Sequence, residues 1–332
     1  MAKNPALSIF ISIVILFCFN ILMISSLAPQ LIVKQLLAWG IGIGLFFIGR
    51  QVNPKQIASS KWIIFIVCCI LLLIPILFQN ITRGSRRWID IGFTTIQPSE
   101  IVKPWLMLFL TNTNFPLLHL IPVGITMAQP DLGSALSLLF LLIPIILYDK
   151  KLFKLSIVLG LIFIITSPII YNIILHGYQR KRITNFLNPT ADPLGQGYNV
   201  IQSKIAIGSG GFFGKGYKKG TQGQLLFLPE KHTDFMFAAT AEELGFAGIF
   251  IIIIAYYLLI KNLLVKAFNT TNNRPLFLFT LGIAIQIWTQ TFINIAMNVG
   301  ILPVTGIPLP FVSVGGSSLM TLLFSLGVIY SS

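Results

Sequence analysis

The segment Gly208-Ser-Gly-Gly-Phe-Phe-Gly-Lys-Gly216 lies at the centre of the stretch that decides the fold. This stretch covers residues 177–237, is rich in Gly and Lys, and closes on Pro229-Glu-Lys-His-Thr-Asp234. Long apolar runs precede and follow it. We therefore interpret it as a polar loop that surrounding membrane helices hold in place.

The composition indicates an integral membrane protein. Hydrophobic residues make up 55% of the chain, mean hydropathy is +0.86 and charged residues make up 10%, against about 25% in soluble globular proteins. The net charge of +14 stands in short basic blocks between apolar runs. Lipid headgroups or a lipid phosphate therefore fit as acidic partners, and nucleic acid does not. Cys18, Cys68 and Cys69 lie inside apolar runs, which excludes a disulfide framework and a metal-binding spacing.

The apolar runs predict an all-α polytopic protein with about ten transmembrane helices, since a spanning helix needs about twenty apolar residues. The fourth and fifth runs are short, so they are interpreted as half-helices or as one broken span. The predicted spans are residues 7–27, 31–48, 61–78, 99–110, 115–127, 132–148, 153–175, 235–260, 275–299 and 307–330.

The short loops predict the orientation, because cytoplasmic loops carry an excess of Lys and Arg. Most short-loop bases share one side if both termini are cytoplasmic, and residues 176–234 then form a long outer loop between helices 7 and 8. Of the nine acidic residues, only Asp149 falls on the inner side. An acid at the bilayer centre costs about 2.5 to 3.5 kcal/mol, so the outer acids are expected to have partners or a functional role.

Two charges stand at the start of the fourth run, in Gln97-Pro-Ser-Glu100-Ile-Val-Lys103. Pro and Ser suit a helix start, and residues three apart share one helix face, so Glu100 and Lys103 are expected to be neighbours. One interpretation is a salt bridge that lets two charges enter the membrane. The other is that Lys103 binds an anionic substrate while Glu100 holds it in place.

Two further motifs precede apolar runs. Gly84-Ser-Arg-Arg-Trp-Ile-Asp90 places Arg87 at the outer interface, where a guanidinium binds phosphate or anchors the chain to headgroups. Gln129-Pro-Asp131-Leu-Gly133 opens the sixth run. For Asp131, physical reasoning alone favours an acid matched to the helix dipole.

The centre of the long loop fails the requirements of a nucleotide-binding P-loop. Ser209 and Gly216 stand where that motif needs Gly and Ser or Thr, and no strand precedes them. What remains is flexible backbone that can approach a ligand closely, with Lys204, Lys215 and Lys218 as candidates for binding a lipid phosphate. The alternative is a solvated basic loop near anionic lipid.

Asp234 is the leading candidate for chemistry because it stands where the long loop re-enters the membrane. One interpretation is an acid matched to the helix dipole. The other is a general base, with nearby cations stabilising a phosphate leaving group. Of the three histidines only His232 is near this residue, and no metal-binding motif is visible.

Glu242 and Glu243 follow about two helical turns after Asp234. Adjacent residues diverge by about 100° on a helix, so the two cannot both face one partner. At least one is therefore expected to pair with a neighbouring helix. In the last loop, residues 303–318 carry three prolines and two adjacent glycines, which predict a rigid turn that either packs helices closely or lines a lipid groove.

Several of these motifs together resemble the shape, elongation, division and sporulation (SEDS) family, in its elongation branch. The similarity extends from Gly84 to the C-terminus. It is carried by the motifs at residues 84–90, 97–100, 129–133, 192–235, 241–245 and 302–318.

The resemblance implies one transmembrane domain over residues 1–332 and a peptidoglycan glycosyltransferase for cell elongation in the bacterial cytoplasmic (inner) membrane. Such enzymes polymerise lipid II outside that membrane, release undecaprenyl pyrophosphate, and work with a class B penicillin-binding protein of the elongation machinery. Asp234 matches the family's catalytic aspartate, Glu100 and Lys103 match its charged pair, and Asp131 matches a further functional acid. A divalent cation, Mg²⁺ or Mn²⁺, is implied as an assistant, without a dedicated site in the sequence.

The chain departs from the family pattern after Leu110, where the connection is short, and at Val314, a position that is commonly Tyr. Two other functions fit a polytopic protein of this kind. A lipid II flippase would distribute charges toward both faces or the midplane, which the outward clustering of acids argues against. A non-enzymatic scaffold of the elongation machinery would leave Asp234 dispensable.

Overall fold

The computed structural model describes residues 5–77, 87–90, 95–169 and 196–331, and in these ranges the protein is an all-α bundle with one minimal sheet. The all-α class predicted from the apolar runs is confirmed. The helices are α1 (Pro5–Leu27), α2 (Ile32–Gly49), α3 (Lys61–Leu77), α4 (Pro98–Asn112), α5 (Leu120–Ala128), α6 (Leu132–Leu139), α7 (Ile143–Tyr148), α8 (Lys150–Ile169), α9 (Gln196–Gly210), α10 (Thr221–Gln224), α11 (Met236–Phe268), α12 (Arg274–Asn298) and α13 (Gly316–Ile329). Strands β1 (Ile89–Asp90) and β2 (Thr95–Ile96) pair antiparallel, with Ile89 opposite Ile96.

Four segments in the described ranges are long and apolar enough to cross a bilayer: Pro5–Leu27, Pro29–Gly49, Met236–Phe268 and Arg274–Asn298. Four further apolar helical segments in the described ranges are shorter, Lys61–Leu77, Pro116–Ala128, Leu132–Tyr148 and Gly316–Ile329, so the count of ten spans stays a prediction. The predicted sixth span is divided into α6, a 3-10 turn at Phe140–Leu142, and α7, which begins beside Pro144, a residue without a backbone N–H. Residues 170–195, which include the end of the seventh predicted span and the start of the long loop, lie outside the described ranges.

Glycine allows α2 and α13 to pack with their backbones in contact. A methyl group on Gly327 would lie 2.1 Å from the Phe46 carbonyl oxygen, and one on Gly49 would lie 2.4 Å from the Phe324 carbonyl oxygen. Any larger residue would force the two helices apart, because these neighbours are backbone atoms that cannot rotate away.

Helix α4 packs on α12 through Gly282, where an added methyl group would lie 2.5 Å from the Met107 sulfur. Ile307 lines one cavity with Glu100 and Lys103 near the start of α4, and its carbonyl accepts from the Asn294 amide near the end of α12. The first turn of α4 and the last turn of α12 therefore lie at the same end of the bundle. Polar residues at these two helix ends face the site described below.

Helix α11 is broken at Gly245, whose φ of +67° lies in the left-handed region that favours glycine. Residues 211–216 fill the break. The N–H groups of Lys215 and Gly216 donate to the carbonyls of Glu242 and Glu243, and the N–H of Phe246 donates to Gly211, each at 2.9 Å.

This break lies within the predicted span 235–260, where the apolar run predicts a continuous helix. Residues 246–268 alone extend about 35 Å as a helix, enough to cross the hydrocarbon core. Residues 236–244 form a separate short segment ahead of that span. Its end is beside the end of α1, since the Ser26 hydroxyl donates to the Glu243 carboxylate at 2.6 Å.

Candidate active site

Asp234 is held by its backbone at the start of α11. Its carbonyl oxygen accepts hydrogen bonds from the side-chain amides of Asn294 at 3.1 Å and Asn298 at 3.0 Å, both from the last turns of α12. The preceding carbonyl, of Thr233, accepts from the Ser313 hydroxyl at 2.5 Å. These contacts fix the backbone at Asp234. The side chain is partly buried, and the groups around its carboxylate set its position.

Three separate segments meet at Gly306 in the last loop. A methyl group on Gly306 would lie 3.6 Å from Asp234 Oδ2 and 3.8 Å from Arg87 Nη1. The loop is brought there by close packing on α6, because a methyl group on Gly133 would lie 2.3 Å from the Thr305 carbonyl oxygen. A carboxylate and a guanidinium, distant in sequence, therefore lie against the same glycine.

Asp131 holds Arg87 in this position. Its Oδ1 atom lies 3.3 Å from Arg87 Nη1 and accepts the Ser134 backbone N–H at 3.1 Å, which makes Asp131 the N-cap of α6. Its Oδ2 atom accepts from the Ser134 hydroxyl at 2.7 Å and the Gln97 amide at 3.2 Å. With four donors and a side chain 1% exposed, this carboxylate has both oxygens engaged in orienting Arg87 and the start of α6.

The charged pair of α4 lies one layer beneath this surface. Lys103 Nζ is 2.5 Å from Glu100 Oε1, and both side chains are buried. The salt bridge expected from the spacing is therefore present. A cavity of about 10 Å³ joins the pair to the Gly306 loop, about the volume that one water requires. It is lined by Gln97, Glu100, Lys103, Gly133, Ser134, Ser137, Gly306, Ile307 and Pro308.

A polar stripe on α12 belongs to the same region, and the sequence analysis missed it. Gln286, Gln290, Asn294 and Asn298 recur at every fourth residue and are all buried, so they share one helix face. The signal was available in the sequence as polar residues with helical spacing inside an apolar run. Asn294 and Asn298 hold Asp234, whereas both amide atoms of Gln290 lack a hydrogen-bond partner within the described part of the chain.

The predicted basic residues lie in two different places. Lys204 lies against the turn that follows α12. A methyl group on Gly300, two residues beyond Asn298, would lie 2.6 Å from Lys204 Nζ. Lys215 pairs instead with Glu242 at 2.7 Å, and Lys218 lies over the Tyr217 ring at 5.3 Å. Glu242 is eight residues beyond Asp234, about 12 Å along a helix. Among the described contacts, those of Lys215 and Lys218 are with this break region and not with Gly306.

Glu242 and Glu243 both bind the long loop, in different ways. Glu242 accepts from the backbone N–H groups of Gln222 and Gly223 at 3.0 and 3.2 Å, in addition to its pair with Lys215. Glu243 accepts from the Gln224 amide at 2.9 Å and from Ser26. The two side chains therefore have separate partners, as their divergence on a helix predicted, and both stabilise the loop.

Lys231 and His232 connect this loop to the site, since Lys231 contacts the loop and His232 contacts the segment beside Asp234. The backbone carbonyl of His232 accepts from the Val314 N–H at 2.9 Å, which fixes the last loop beside Asp234. The Lys231 ammonium donates to the Gly223 carbonyl at 2.5 Å. Burial lowers the pKa of Lys231, and the negative charge of Glu243 acts in the opposite direction.

The described residues include no group of three or more His, Cys, Asp or Glu side chains that is arranged to hold a metal ion. Asp131 already accepts from four donors, and Asp234 is the second carboxylate of this region, with Oδ2 3.6 Å from the position of a methyl group on Gly306. Mg²⁺ commonly binds through one or two carboxylates plus substrate phosphates. The residues here fit a cation shared with a phosphate ligand and not an all-protein metal cage.

Comparisons with known proteins agree with the motifs. Residues 6–332 match the family profile FTSW_RODA_SPOVE, described as cell cycle protein. The chain is 42% identical over 310 residues to the peptidoglycan glycosyltransferase MrdB of Escherichia coli K12, covering 87% of this chain and 82% of that protein. It is 35% identical to MrdB of Helicobacter pylori 26695, covering 96% and 87% of the two chains.

Solved structures give the same result. A chain from a structure titled as a peptidoglycan synthase complex that coordinates polymerization and crosslinking has a TM-score of 0.81 and 31% identity, covering 97% of this chain and 95% of that one. The rod shape determining protein RodA of Thermus thermophilus has a TM-score of 0.69 and 25% identity, covering 97% and 94%. The SEDS resemblance is confirmed, and the chain belongs to the FtsW/RodA/SpoVE family.

Proposed function

We propose that this protein is a peptidoglycan glycosyltransferase of cell elongation, which polymerises lipid II into glycan strands and releases undecaprenyl pyrophosphate. The observation that carries the proposal is the meeting of the Asp234 carboxylate and the Arg87 guanidinium at Gly306. A base and a phosphate-binding cation on one small surface are the two groups that glycosyl transfer from a pyrophosphate donor needs. The similar proteins named peptidoglycan glycosyltransferase support the same reaction class.

Asp234 acts as the general base in this reaction. Its carboxylate takes the proton of the acceptor sugar hydroxyl as that oxygen forms a bond to the anomeric carbon of the donor. The backbone clamp from Asn294 and Asn298 supports this role, because it holds the base in place without using its carboxylate oxygens. A positioned base of this kind contributes about 10²- to 10⁴-fold to the rate.

Arg87 stabilises the leaving group. As the anomeric carbon–oxygen bond breaks, its electron pair stays on the pyrophosphate, and the added negative charge is met by a guanidinium that Asp131 already orients. The Arg87 side chain is 25% exposed, so it is accessible to a phosphate. Lys204 of α9, whose ammonium lies against the turn that follows α12, provides a second cation.

The Glu100–Lys103 pair acts as a support beneath this surface. Both residues line the cavity whose other wall is formed by Gly306 and Ile307. The pair thereby helps to fix the loop against which Asp234 and Arg87 lie. His232 contributes through its backbone, because its carbonyl accepts from the Val314 N–H and thereby holds the same loop in position.

A divalent cation fits this surface when a pyrophosphate is bound. Asp234 would supply one oxygen ligand and the substrate phosphates the others, in the manner common for Mg²⁺. The cation would supply positive charge for the leaving group. Lys215 and Lys218 are not part of this arrangement, because their described contacts lie at the break of α11.

The setting of the reaction is proposed from the distribution of charges in the sequence. We place the site at the outer face of the bacterial cytoplasmic membrane, with both termini cytoplasmic, on the distribution of short-loop bases. The proposed partner is a class B penicillin-binding protein that crosslinks the new strands. Its support is the likeness to a chain from a synthase complex that couples polymerization to crosslinking.

The test is polymerisation of purified lipid II by this protein with its penicillin-binding protein, whose crosslinking is blocked with penicillin. Asp234→Asn should lower the rate of glycan ladder formation at least about 100-fold. Folding should be retained, because Asn has the shape of Asp and the backbone carbonyl at this position still accepts from Asn294 and Asn298.

Asp149→Asn is the matched control. Asp149 is exposed and its side chain caps α8 through the Lys151 N–H at 2.8 Å, which Asn can also do, so full activity is expected. Equal ladders from Asp234→Asn and wild type would remove Asp234 as the base. If neither the wild type nor either variant formed ladders although all proteins were folded, the result would favour transport or scaffolding.

A further inference from the structure

The loop between α9 and α11 exposes a set of large apolar side chains in two runs, residues 212–217 and 225–227. Both runs lie beside the end of α1, because Tyr217 and Gln224 contact the adjacent Ser25 and Ser26. We name this set the interfacial patch, and it consists of Phe212, Phe213, Tyr217, Leu225, Leu226 and Phe227. Phe213 is 81% exposed and Leu226 is 74% exposed, more than any large hydrophobic residue of the lipid-facing α1. Six such side chains on one polar loop exceed the scattered single residues that are ordinary on protein surfaces.

The interfacial patch continues onto a surface that faces lipid. The Phe212 ring lies 5.7 Å from the Phe246 ring, which stacks at 5.9 Å on Phe250. Phe246 and Phe250 are exposed on the part of α11 that is long enough to span the bilayer. One aromatic strip thus runs from the spanning helix onto the loop, without a polar residue between its stacked rings.

The backbone of the loop adopts an unfavourable conformation that keeps Leu226 at the surface. Leu226 has a φ of +63°, a left-handed conformation that is strained for a residue with a branched side chain. Buried Leu228 anchors the turn, and its N–H donates to the Gln222 carbonyl at 3.0 Å. Leu228 is turned inward while Leu226 is turned to the surface, so exposure of Leu226 is imposed by the fold.

Cations border the apolar side chains. Lys218 lies over the Tyr217 ring at 5.3 Å, and both Lys218 and Lys219 are exposed. Lys215 is not available for the surface because it pairs with Glu242. Aromatic rings beside free ammonium groups are typical of segments that lie at the boundary between acyl chains and anionic headgroups.

We propose that the interfacial patch inserts into the bilayer leaflet on the side of the candidate site, with Lys218 and Lys219 at the phosphates of anionic lipids. The same loop fills the break of α11 and binds Glu242 and Glu243. Insertion of the loop therefore fixes the depth in the bilayer of residues 236–244, the short helical segment that follows Asp234. This inference concerns the membrane contact and stands independently of the catalytic role of Asp234.

The test measures the environment of single nitroxide labels by power-saturation EPR. Cys18, Cys68 and Cys69 are first replaced by Ala in the full chain. Labels are then placed by Phe213→Cys or Leu226→Cys, and the protein is reconstituted in vesicles of phosphatidylglycerol and phosphatidylethanolamine. Phe250→Cys serves as the lipid reference and Asn272→Cys, on an exposed short loop, as the aqueous reference.

Labels at 213 and 226 should collide with oxygen several-fold more, relative to a water-soluble nickel complex, than the label at 272. Equal nickel access at 213, 226 and 272 would overturn the proposal. It would also be overturned if both labels lost nickel access only after the penicillin-binding protein was added, since the occupant would then be protein. If either variant fails to fold, Leu225→Cys and Phe227→Cys carry the same test.

Discussion

Gly306→Ala is expected to separate the chemistry of the site from its stability. The φ of Gly306 is +73°, so an L-residue there costs about 1 to 2 kcal/mol of folding stability. The new methyl group would also lie 3.6 Å from Asp234 Oδ2 and 3.8 Å from Arg87 Nη1, without a clash. The protein should therefore fold, with a modestly lower unfolding temperature.

Activity should fall much more than stability. A hydroxyl must approach a base to about 2.6 to 3.2 Å for proton transfer, and a methyl group at 3.6 Å from the same oxygen occupies that approach. A misplacement of about 1 Å can reduce a rate about 100-fold. We therefore expect a loss of about that size in lipid II polymerisation, measured as the initial rate of ladder formation.

Gly211→Ala provides the matched control. Gly211 has a φ of +57°, so Ala there has the same backbone strain, but a methyl group would have no atom within 4 Å. Both variants should unfold at similarly lowered temperatures, and only Gly306→Ala should lose activity. Similar rates for the two variants would refute the reasoning that the reaction takes place at the Gly306 surface.

Three further outcomes are expected, each measured by thermal unfolding. Lys103→Met should destabilise the protein by about 3 to 5 kcal/mol by leaving Glu100 as an unpaired buried charge, and the double change with Glu100→Leu should destabilise it less; an additive double variant would contradict this. Gly245→Ala should destabilise more than Gly211→Ala, since its methyl group would lie 2.2 Å from the Gly214 nitrogen; equal effects would show that the break tolerates a side chain. The pKa of Lys231 is lowered from 10.5, so the unfolded chain binds more protons than the folded chain just below pH 10.5, and stability should rise with pH in that window. Lys231→Met should remove this rise. An unchanged pH dependence in the variant would exclude Lys231 as its source.

The sequence predicted the parts of the fold that depend on local pattern. Apolar runs gave the membrane helices, because hydrophobicity over about twenty residues is a local property. The spacing of Glu100 and Lys103 predicted their pairing for the same reason, and the pair is present. Asp234 was predicted where the long loop re-enters the membrane, and it lies just ahead of α11, which begins at Met236.

The remaining features depend on contacts between distant segments. The Ala241-Glu-Glu-Leu-Gly245 run is a good helix sequence, and only the docking of residues 211–216 requires its break. Lys215 was interpreted as a phosphate ligand, and its pairing with Glu242 follows from that docking, which no spacing in the sequence reveals. The roles proposed for Asp234 and Arg87 stay predictions until the site is tested.

The broken helix has a consequence for recombining this protein with its relatives. Residues 211–216 and 242–247 complete each other's hydrogen bonds across a separation of about thirty residues, and unpaired backbone groups are not tolerated in hydrocarbon. A chimaera with a crossover between these two segments would join halves that evolved with different partners. Residues 211–247 are therefore expected to behave as one exchangeable cassette, which can be moved between family members whole but not in part.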